Sequence, residues 1–152
     1  MEPGIIKVDN PDYIRRSLFP LIIELAEILA QPGSDEFSIM AYFDMAMPEI
    51  WAAHKGNPLE PIGFIVFNRL NFPHYSMGMC NYFYMKDKDP ELTHQLYEKF
   101  PEYLKKYNLK YFCFHSQSRK LGERFKEEWG KLGLETLKKE YLYTGKRVLG
   151  VR

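Results

Sequence analysis

Four histidines can exchange protons near neutral pH, and the position of one of them points to a site. They are His54, His74, His94 and His115. The last of them ends the apolar run Tyr111–His115, which predicts a short buried strand. In α/β sheets, functional side chains gather at the carboxyl ends of such strands. His115 is therefore a candidate catalytic base, and capping or packing is the alternative role for it.

Two tyrosines, Tyr141 and Tyr143, lie in the Tyr-rich run Thr136–Thr144, which predicts the last strand. Residues two apart in a strand share one face of the sheet. Their hydroxyls either line a cleft for a second substrate, with Tyr143 as a catalytic candidate, or cover the sheet.

The two cysteines, Cys80 and Cys113, carry no metal or redox pattern. Neither lies in a CxxC or a Cys/His spacing, so the sequence predicts no zinc site. No charged neighbour in sequence activates Cys113 as a nucleophile, and buried packing is favoured for it. The absence of Walker, GxGxxG, HExxH, GxSxG and EF-hand patterns argues against kinases, Rossmann dehydrogenases, zincins and serine hydrolases.

Composition indicates one globular domain over residues 1–152, with 45% hydrophobic and 27% charged side chains. The formal net charge of +1 provides no basic field for a nucleic-acid backbone. The aromatic share of 16% indicates either an aromatic core or a binding surface.

We expect a cytoplasmic protein with no membrane segment. The most apolar stretch, Leu18 to Ala30, is interrupted by Glu24 and Glu27 and is too short to span a bilayer. The first residues lack the pattern of a secretion signal, and two lone thiols fit a reducing compartment.

The first third of the chain predicts a strand followed by helices. Ile5 to Val8 is the strand, and Asn10-Pro11-Asp12 is a typical helix start. Pro20 lies inside the helical run and predicts a kink or two abutting helices.

A second helix is predicted from Ser34-Asp35-Glu36 to Met47, although Phe37 to Phe43 also alternates well enough to form a strand. Met40, Met45 and Met47 are expected to fill the core of this region.

The remaining chain alternates between strands and helices. Ile50–His54 and Ile62–Leu70 predict a hairpin, and Met77–Met85 predicts a central strand. A helix capped by Asp89-Pro90, the strand Tyr111–His115, a helix capped by Ser116 or Ser118, and the strand Thr136–Thr144 follow.

This order of elements resembles the GNAT acyltransferase superfamily over roughly residues 11 to 147. Three segments carry the resemblance: Pro61–Phe67, which reads PIGFIVF; Tyr82–Phe100; and Lys131–Leu134, which reads KLGL. The resemblance implies a mixed twisted α/β (α+β) sheet flanked by helices. In it, Tyr82–Met85 runs parallel to Tyr111–His115 with a gap between them.

The family binds the pyrophosphate of acyl-CoA with a glycine-rich loop at a helix N-terminus, where free N–H groups meet the phosphates. The matching stretch here is Lys88 to Thr93, in which Lys88 keeps a positive charge while Glu91 and Thr93 replace glycines. Asp89 caps the helix itself, so an ordinary self-capped helix is the alternative. The cofactor-binding residues that the resemblance implies are Tyr84, Met85, Lys86, Lys88, Thr93 and Ser118.

The resemblance also implies catalytic groups. Many members keep a Tyr as general acid four residues before the glycine of the KLGF motif, and this sequence has Trp129 there. An indole cannot donate a proton at neutral pH, so Trp129 is expected in the core. Glu49 lies near the position of a carboxylate base in some members.

Together these features predict a divergent acyl-CoA-dependent N-acyltransferase with an unidentified amine acceptor, either a small molecule or a protein. The alternative is an inactive GNAT-like domain that binds a protein partner or forms a homodimer.

Overall fold

In a computed structural model, the chain forms a mixed five-stranded sheet with helices on both faces. The structure describes residues 2–30, 33–114 and 119–134. The strands are β1 (Gly4–Lys7), β2 (Glu49–His54), β3 (Gly63–Asn71), β4 (Ser76–Met85) and β5 (Tyr111–Phe114). The helices are α1 (Pro11–Tyr13), a π-helical turn (Ile14–Leu18), α2 (Phe19–Leu29), α3 (Glu36–Ala46), α4 (Pro90–Lys106) and α5 (Arg119–Lys131). The predicted α/β (α+β) class is confirmed.

Three helices begin where the capping residues predicted them. The side-chain oxygens of Asn10, Asp35 and Asp89 accept hydrogen bonds of 2.9, 2.9 and 3.0 Å from backbone N–H groups in the first turns of α1, α3 and α4. Such bonds satisfy donors that have no partner inside the helix. The segment Phe37 to Phe43 is therefore helical, as predicted, and the strand alternative is wrong.

The predicted irregularity at Pro20 is present as a π-helical turn over Ile14–Leu18, directly before α2. Proline has no backbone N–H, so it cannot complete the regular ladder with the preceding turn. The wider turn accommodates this missing bond and joins α1 to α2 as one continuous helical segment.

The prediction for the methionines is wrong at two of three positions. Met40 packs partly against the core, but Met45 and Met47 are 85% and 83% exposed. The inward face of α3 is set by Ile39 and Phe43, and Met45 lies about 200° around the helix from Phe43. Met47 takes the left-handed conformation that ends the helix, with φ of 44°.

The strands are ordered β1-β2-β3-β4-β5, and only the β4–β5 pair is parallel. α4 connects these two parallel strands. The prediction that Tyr82–Met85 and the strand beginning at Tyr111 run in the same direction is confirmed.

The two faces of the sheet build separate hydrophobic cores. α4 and α5 cover one face, where Phe67, Phe100 and Trp129 are fully buried. The segment from α1 to α3 covers the other face, where Ile22, Ile39 and Phe64 are fully buried. The sheet is thus held from both sides, which fixes the position of the β4 and β5 ends.

Candidate functional site

The fourth strand shifts its register against β3 halfway along, and this shift marks the candidate site. Its first half, Met77–Cys80, pairs in parallel with Tyr111–Phe114. The register against β3 then shifts by one residue at Asn81, which is a β-bulge. A bulge bends its strand and re-aims the residues that follow. Tyr82–Met85 lies beyond the last β4–β5 pair of the described residues, at the carboxyl end of both strands.

Two glycines allow close approach to this part of β4. A methyl group on Gly63 would lie 2.1 Å from the Met85 sulfur and 2.6 Å from the Tyr84 carbonyl oxygen. A methyl group on Gly78 would lie 2.3 Å from a Leu104 methyl carbon. Ordinary carbon contacts are about 3.5–4.0 Å. The first glycine therefore sets the end of β4 against β3, and the second lets α4 pack directly on β4.

Two ion pairs connect the β4–α4 loop to neighbouring elements, through Lys86 and Asp87. The Lys86 amine lies 4.0 Å from one Glu24 oxygen, and the Tyr84 hydroxyl donates a hydrogen bond of 3.1 Å to the other. Burial raises the pKa of Tyr84, and the adjacent Glu24 carboxylate adds to the effect. The Lys55 amine lies 3.6 Å from Asp87. These ion pairs are exposed and contribute little to stability, so a more highly charged ligand can displace them.

Backbone N–H groups in the first turn of α4 are already hydrogen-bonded to the residue that caps the helix. Asp89 accepts from the Leu92 N–H with its side chain and from the Thr93 N–H with its carbonyl oxygen, at 3.0 and 2.9 Å. Pro90 offers no N–H, and exposed Glu91 adds a second carboxylate. Lys88 is exposed beside them. A phosphate at this helix end must compete with the Asp89 carboxylate for the same donors.

The residue at the position of the family's general acid is part of the core. Trp129 is 1% exposed, and its indole N–H donates to the Tyr97 carbonyl oxygen at 3.2 Å. Its ring lies against Phe125 and Phe114, with centroid distances of 5.1 and 5.0 Å. The prediction of a packing role for Trp129 is confirmed.

Glu49 is the first residue of β2, two strands away from β4. Its carboxylate accepts from the Trp51 indole N–H at 2.9 Å and lies 3.8 Å from the Lys7 amine. It lines a cavity of about 430 Å³ that also includes Arg69 and Tyr103. At about 4.8 Å per strand, Glu49 stands about 10 Å from β4. Its role as a base stays a prediction.

A group of uncharged polar side chains lies against the bulge on the face that carries α3, and the sequence did not single it out. The Asn81 side-chain N–H donates to the Asn68 side-chain oxygen at 3.0 Å. The Tyr42 ring packs edge-on against Tyr82, with centroids 6.0 Å apart. Burial raises the pKa of Tyr42 to about 12, Tyr82 adds to the rise, and the nearby Asn81 amide opposes it.

Three predicted site residues, His115, Ser118 and Tyr143, lie outside the described residues, as do the helix caps at 116–118 and the strand at 136–144. In the part of the chain that the structure describes, Tyr84, Met85, Lys86 and Lys88 come together at the end of β4, with Thr93 in the first turn of α4. No group of three metal-ligating side chains converges among the described residues. None of the described helices is long and apolar enough to cross a membrane.

Comparison with known proteins identifies the fold. No family model and no curated protein matches the chain. Solved structures do match it over nearly its whole length. Ribosomal-protein-alanine N-acetyltransferase from Brucella melitensis biovar Abortus 2308 is 13% identical, with a TM-score of 0.70, over 96% of this chain and 99% of its own. The chain has the GNAT acyltransferase fold.

Two further GNAT-fold neighbours were solved with cofactor. A predicted acetyltransferase from Clostridium acetobutylicum, with acetyl-CoA, is 18% identical over 94% of this chain and 96% of its own, with a TM-score of 0.68. The NatC complex bound to Gag peptide and CoA has a chain that is 15% identical over 91% of this one and 87% of its own, with a TM-score of 0.67. At such identity the likeness establishes the GNAT fold, and the activity has to be argued from the site.

Proposed function

We propose that this chain is a divergent acyl-CoA-dependent N-acyltransferase acting as a single cytoplasmic domain. The observation that carries the proposal is the β-bulge at Asn81, where β4 shifts its register against β3 and continues as Tyr82–Met85 beyond the last β4–β5 pair of the described residues. Backbone N–H and C=O groups at a strand edge need partners. The amide groups of a pantetheine arm can supply them, and neighbours of the same fold were solved with CoA or acetyl-CoA.

The described residues fit the pantetheine arm of acyl-CoA better than its phosphates. The partly buried strand end suits an extended, amide-containing arm, and the exposed Lys86 and Lys88 offer cations close by. The Asp89 cap and the Glu91 carboxylate oppose negative charge at the α4 N-terminus. We therefore expect acyl-CoA to bind weakly, with Thr93 and Ser118 as further hydrogen-bonding groups.

A bound acyl-CoA would supply a thioester carbonyl for attack by an amine. The chain would hold both reactants in line and offer backbone N–H groups near the bulge to the carbonyl oxygen. Trp129 contributes no proton, so the rate would depend on positioning and on the nucleophilicity of the amine. Glu49, His115 and Tyr143 remain the proposed proton-transfer residues.

The test is a thermal shift followed by turnover. Binding to the native state raises its stability, so millimolar acetyl-CoA should raise the melting temperature. Lys88→Glu should abolish the rise, whereas Lys110→Glu, also an exposed lysine but beyond the far end of α4, should leave it unchanged. Release of the CoA thiol would then be followed with phenethylamine, spermidine and a pentapeptide with a free α-amino group. A flat thermal response to several acyl-CoAs would contradict the proposal.

A second candidate function is a GNAT-fold domain without catalysis that binds a protein partner or a second copy of itself. Exposed apolar side chains on and beside α2 and α3 favour it, namely Ile28, Phe37, Met45 and Met47. In that case, sedimentation should show a concentration-dependent dimer that Met45→Ser/Met47→Ser dissociates. A monomer that responds to acetyl-CoA would argue against it.

A further inference from the structure

The hydroxyl of Tyr42 is a buried polar group with no hydrogen-bond partner among the described residues. It has less than 1 Å² of accessible surface, and the Asn81 amide, although near enough to lower the Tyr42 pKa, does not meet the distance and angle of a hydrogen bond. A buried hydroxyl without a hydrogen bond destabilises the folded state, so natural proteins rarely retain one without a reason. The Tyr42 ring itself would pack equally well as phenylalanine.

The position of this hydroxyl supplies the reason. It lies beside the Asn81 amide, whose N–H already donates to Asn68 at 3.0 Å. Asn81 is the bulge residue directly after the last β4–β5 pair, Cys80 with Phe114. A hydrogen-bonding group therefore stands on the α3 face of the sheet at the bulge of β4, next to the last β4–β5 pair that the structure describes.

We propose that the Tyr42 hydroxyl and the Asn81 side-chain oxygen position the acceptor amine beside the bulge. The inference rests on the proposed acyltransferase function. The amine N–H groups donate to the two oxygens, and its lone pair is left facing the thioester carbonyl. The nitrogen–carbon bond forms and the carbon–sulfur bond breaks, with its electron pair leaving on sulfur. The amine loses one proton, which ends on the CoA thiol.

This arrangement also selects the class of amine. Tyr42, Asn68 and Asn81 are uncharged, and burial keeps the Tyr42 and Tyr82 hydroxyls neutral by raising their pKa. A cationic ammonium group gains no ion pair from them, so the uncharged amine is favoured. Peptide α-amino groups have a pKa of about 7.7–8.0, against about 10.4 for a lysine side chain. The acceptor is therefore an α-amine rather than an alkylamine.

The hydroxyl is closed off from solvent while Tyr42 as a whole is only half-buried. The acceptor reaches it when the Tyr42 side chain turns away from β4, so access of the amine accompanies a small movement at α3. Tyr42 packs on the face of the sheet opposite to α4, so this movement leaves the contacts of the α4 N-terminus in place.

The experiment compares Tyr42→Phe with Tyr13→Phe, because Tyr13 is also a half-buried residue but its hydroxyl donates to the Pro58 carbonyl oxygen at 2.6 Å. Tyr42→Phe should keep or raise the melting temperature of the free protein and keep the shift caused by acetyl-CoA. It should raise KM about 3- to 10-fold for a pentapeptide with a free α-amino group, the effect of one lost hydrogen bond. Tyr13→Phe should lower the melting temperature and leave that KM unchanged.

Two further readouts make the inference falsifiable. The same pentapeptide, blocked at its α-amine and carrying one lysine, should be a poorer acceptor at pH 8. A lower melting temperature for Tyr42→Phe, or an unchanged acceptor KM, would overturn the inference while wild-type turnover left the proposed function standing. Absence of acetyl-CoA binding or turnover in the wild type would overturn both.

Discussion

The side chains of Tyr13 and Tyr42 are buried to a similar extent, but their hydroxyls differ in the hydrogen-bond partner that replaces water. The Tyr13 hydroxyl donates to the Pro58 carbonyl oxygen, whereas the Tyr42 hydroxyl has no partner among the described residues. Burial raises the pKa of both to about 12. Their removal should therefore change the pH dependence of stability in alkaline solution alike, but change stability at neutral pH differently.

The pH dependence follows from the direction of these shifts. A raised folded-state pKa stabilises the fold fully below the unfolded-state pKa of about 10, and this contribution is lost as pH rises towards 12. Replacing either Tyr13 or Tyr42 with Phe should make the loss of stability between pH 10 and 12 shallower. At pH 7, only Tyr13→Phe should cost stability, by about 0.5–1.5 kcal/mol for its hydrogen bond.

Urea unfolding of both variants at pH 7, 10 and 11.5 measures this. Tyr107→Phe, at a more exposed tyrosine, is the control for the substitution itself. If stability falls as steeply above pH 10 in Tyr42→Phe as in the wild type, the Tyr42 hydroxyl of the wild type is hydrated in solution.

At the scale of elements, the beginning of α4 determines how well a phosphate can bind. The Asp89 carboxylate occupies the Leu92 N–H that an anion would need, and Glu91 adds repulsion. We predict that Asp89→Gly/Glu91→Gly binds CoA more tightly than the wild type. The fold should lose about 1 kcal/mol of stability or less at the cap, since glycine is itself a fair N-cap, and about 1 kcal/mol more for Gly in the first turn.

Calorimetric titration of CoA into the double variant and the wild type tests this. Asp35→Gly is the matched control, because it removes the equivalent cap of α3 and should change stability without changing CoA affinity. Equal CoA affinity of the double variant and the wild type would show that the α4 end takes no part in binding.

The same elements show how far the sequence predicts this molecule. Asp89 was found as a cap because an N-cap acts within three residues of sequence. The bulge at Asn81 was not found, since it depends on how β3 and β4 pair over their whole length. The pairing of Glu49 with Lys7 was missed for a related reason: β1 joins the sheet beside β2 from more than forty residues away.

The candidate site was predictable to the same extent. Lys86 and Lys88 follow a strand and precede a helix, so their place at one loop is a local inference. The Tyr42 hydroxyl meets the bulge only through packing of α3 on the sheet. No spacing in the sequence reports such a contact, because the two residues belong to different elements joined by tertiary structure alone.

The whole molecule has a strongly uneven distribution of charge. From residue 17 to residue 54 there are six carboxylates and no lysine or arginine, whereas 18 of the 21 basic side chains come from Lys55 onwards. The first segment forms α2, α3 and most of β2 and so covers the face that carries Tyr42. The carboxylates of α2 and α3 contribute a negative field on that side, with Arg15 and Arg16 in the turn before α2, whereas Lys55, Lys86 and Lys88 contribute positive charge around the end of β4.

A field of this kind attracts a positively charged acceptor to the α3 side and acts over about 8–10 Å at physiological salt. We predict that kcat/KM for a pentapeptide with a free α-amine and net positive charge falls as salt is added. Glu27→Lys/Asp44→Lys, both exposed on the α2 and α3 side, should lower kcat/KM at low salt and flatten its salt dependence. Glu102→Lys, exposed on α4 across the sheet, is the control and should change neither. An uncharged pentapeptide should be insensitive to salt in every variant. If it responds as the charged one does, the salt acts on the fold or on cofactor binding, and the acidic layer has no part in guiding the acceptor.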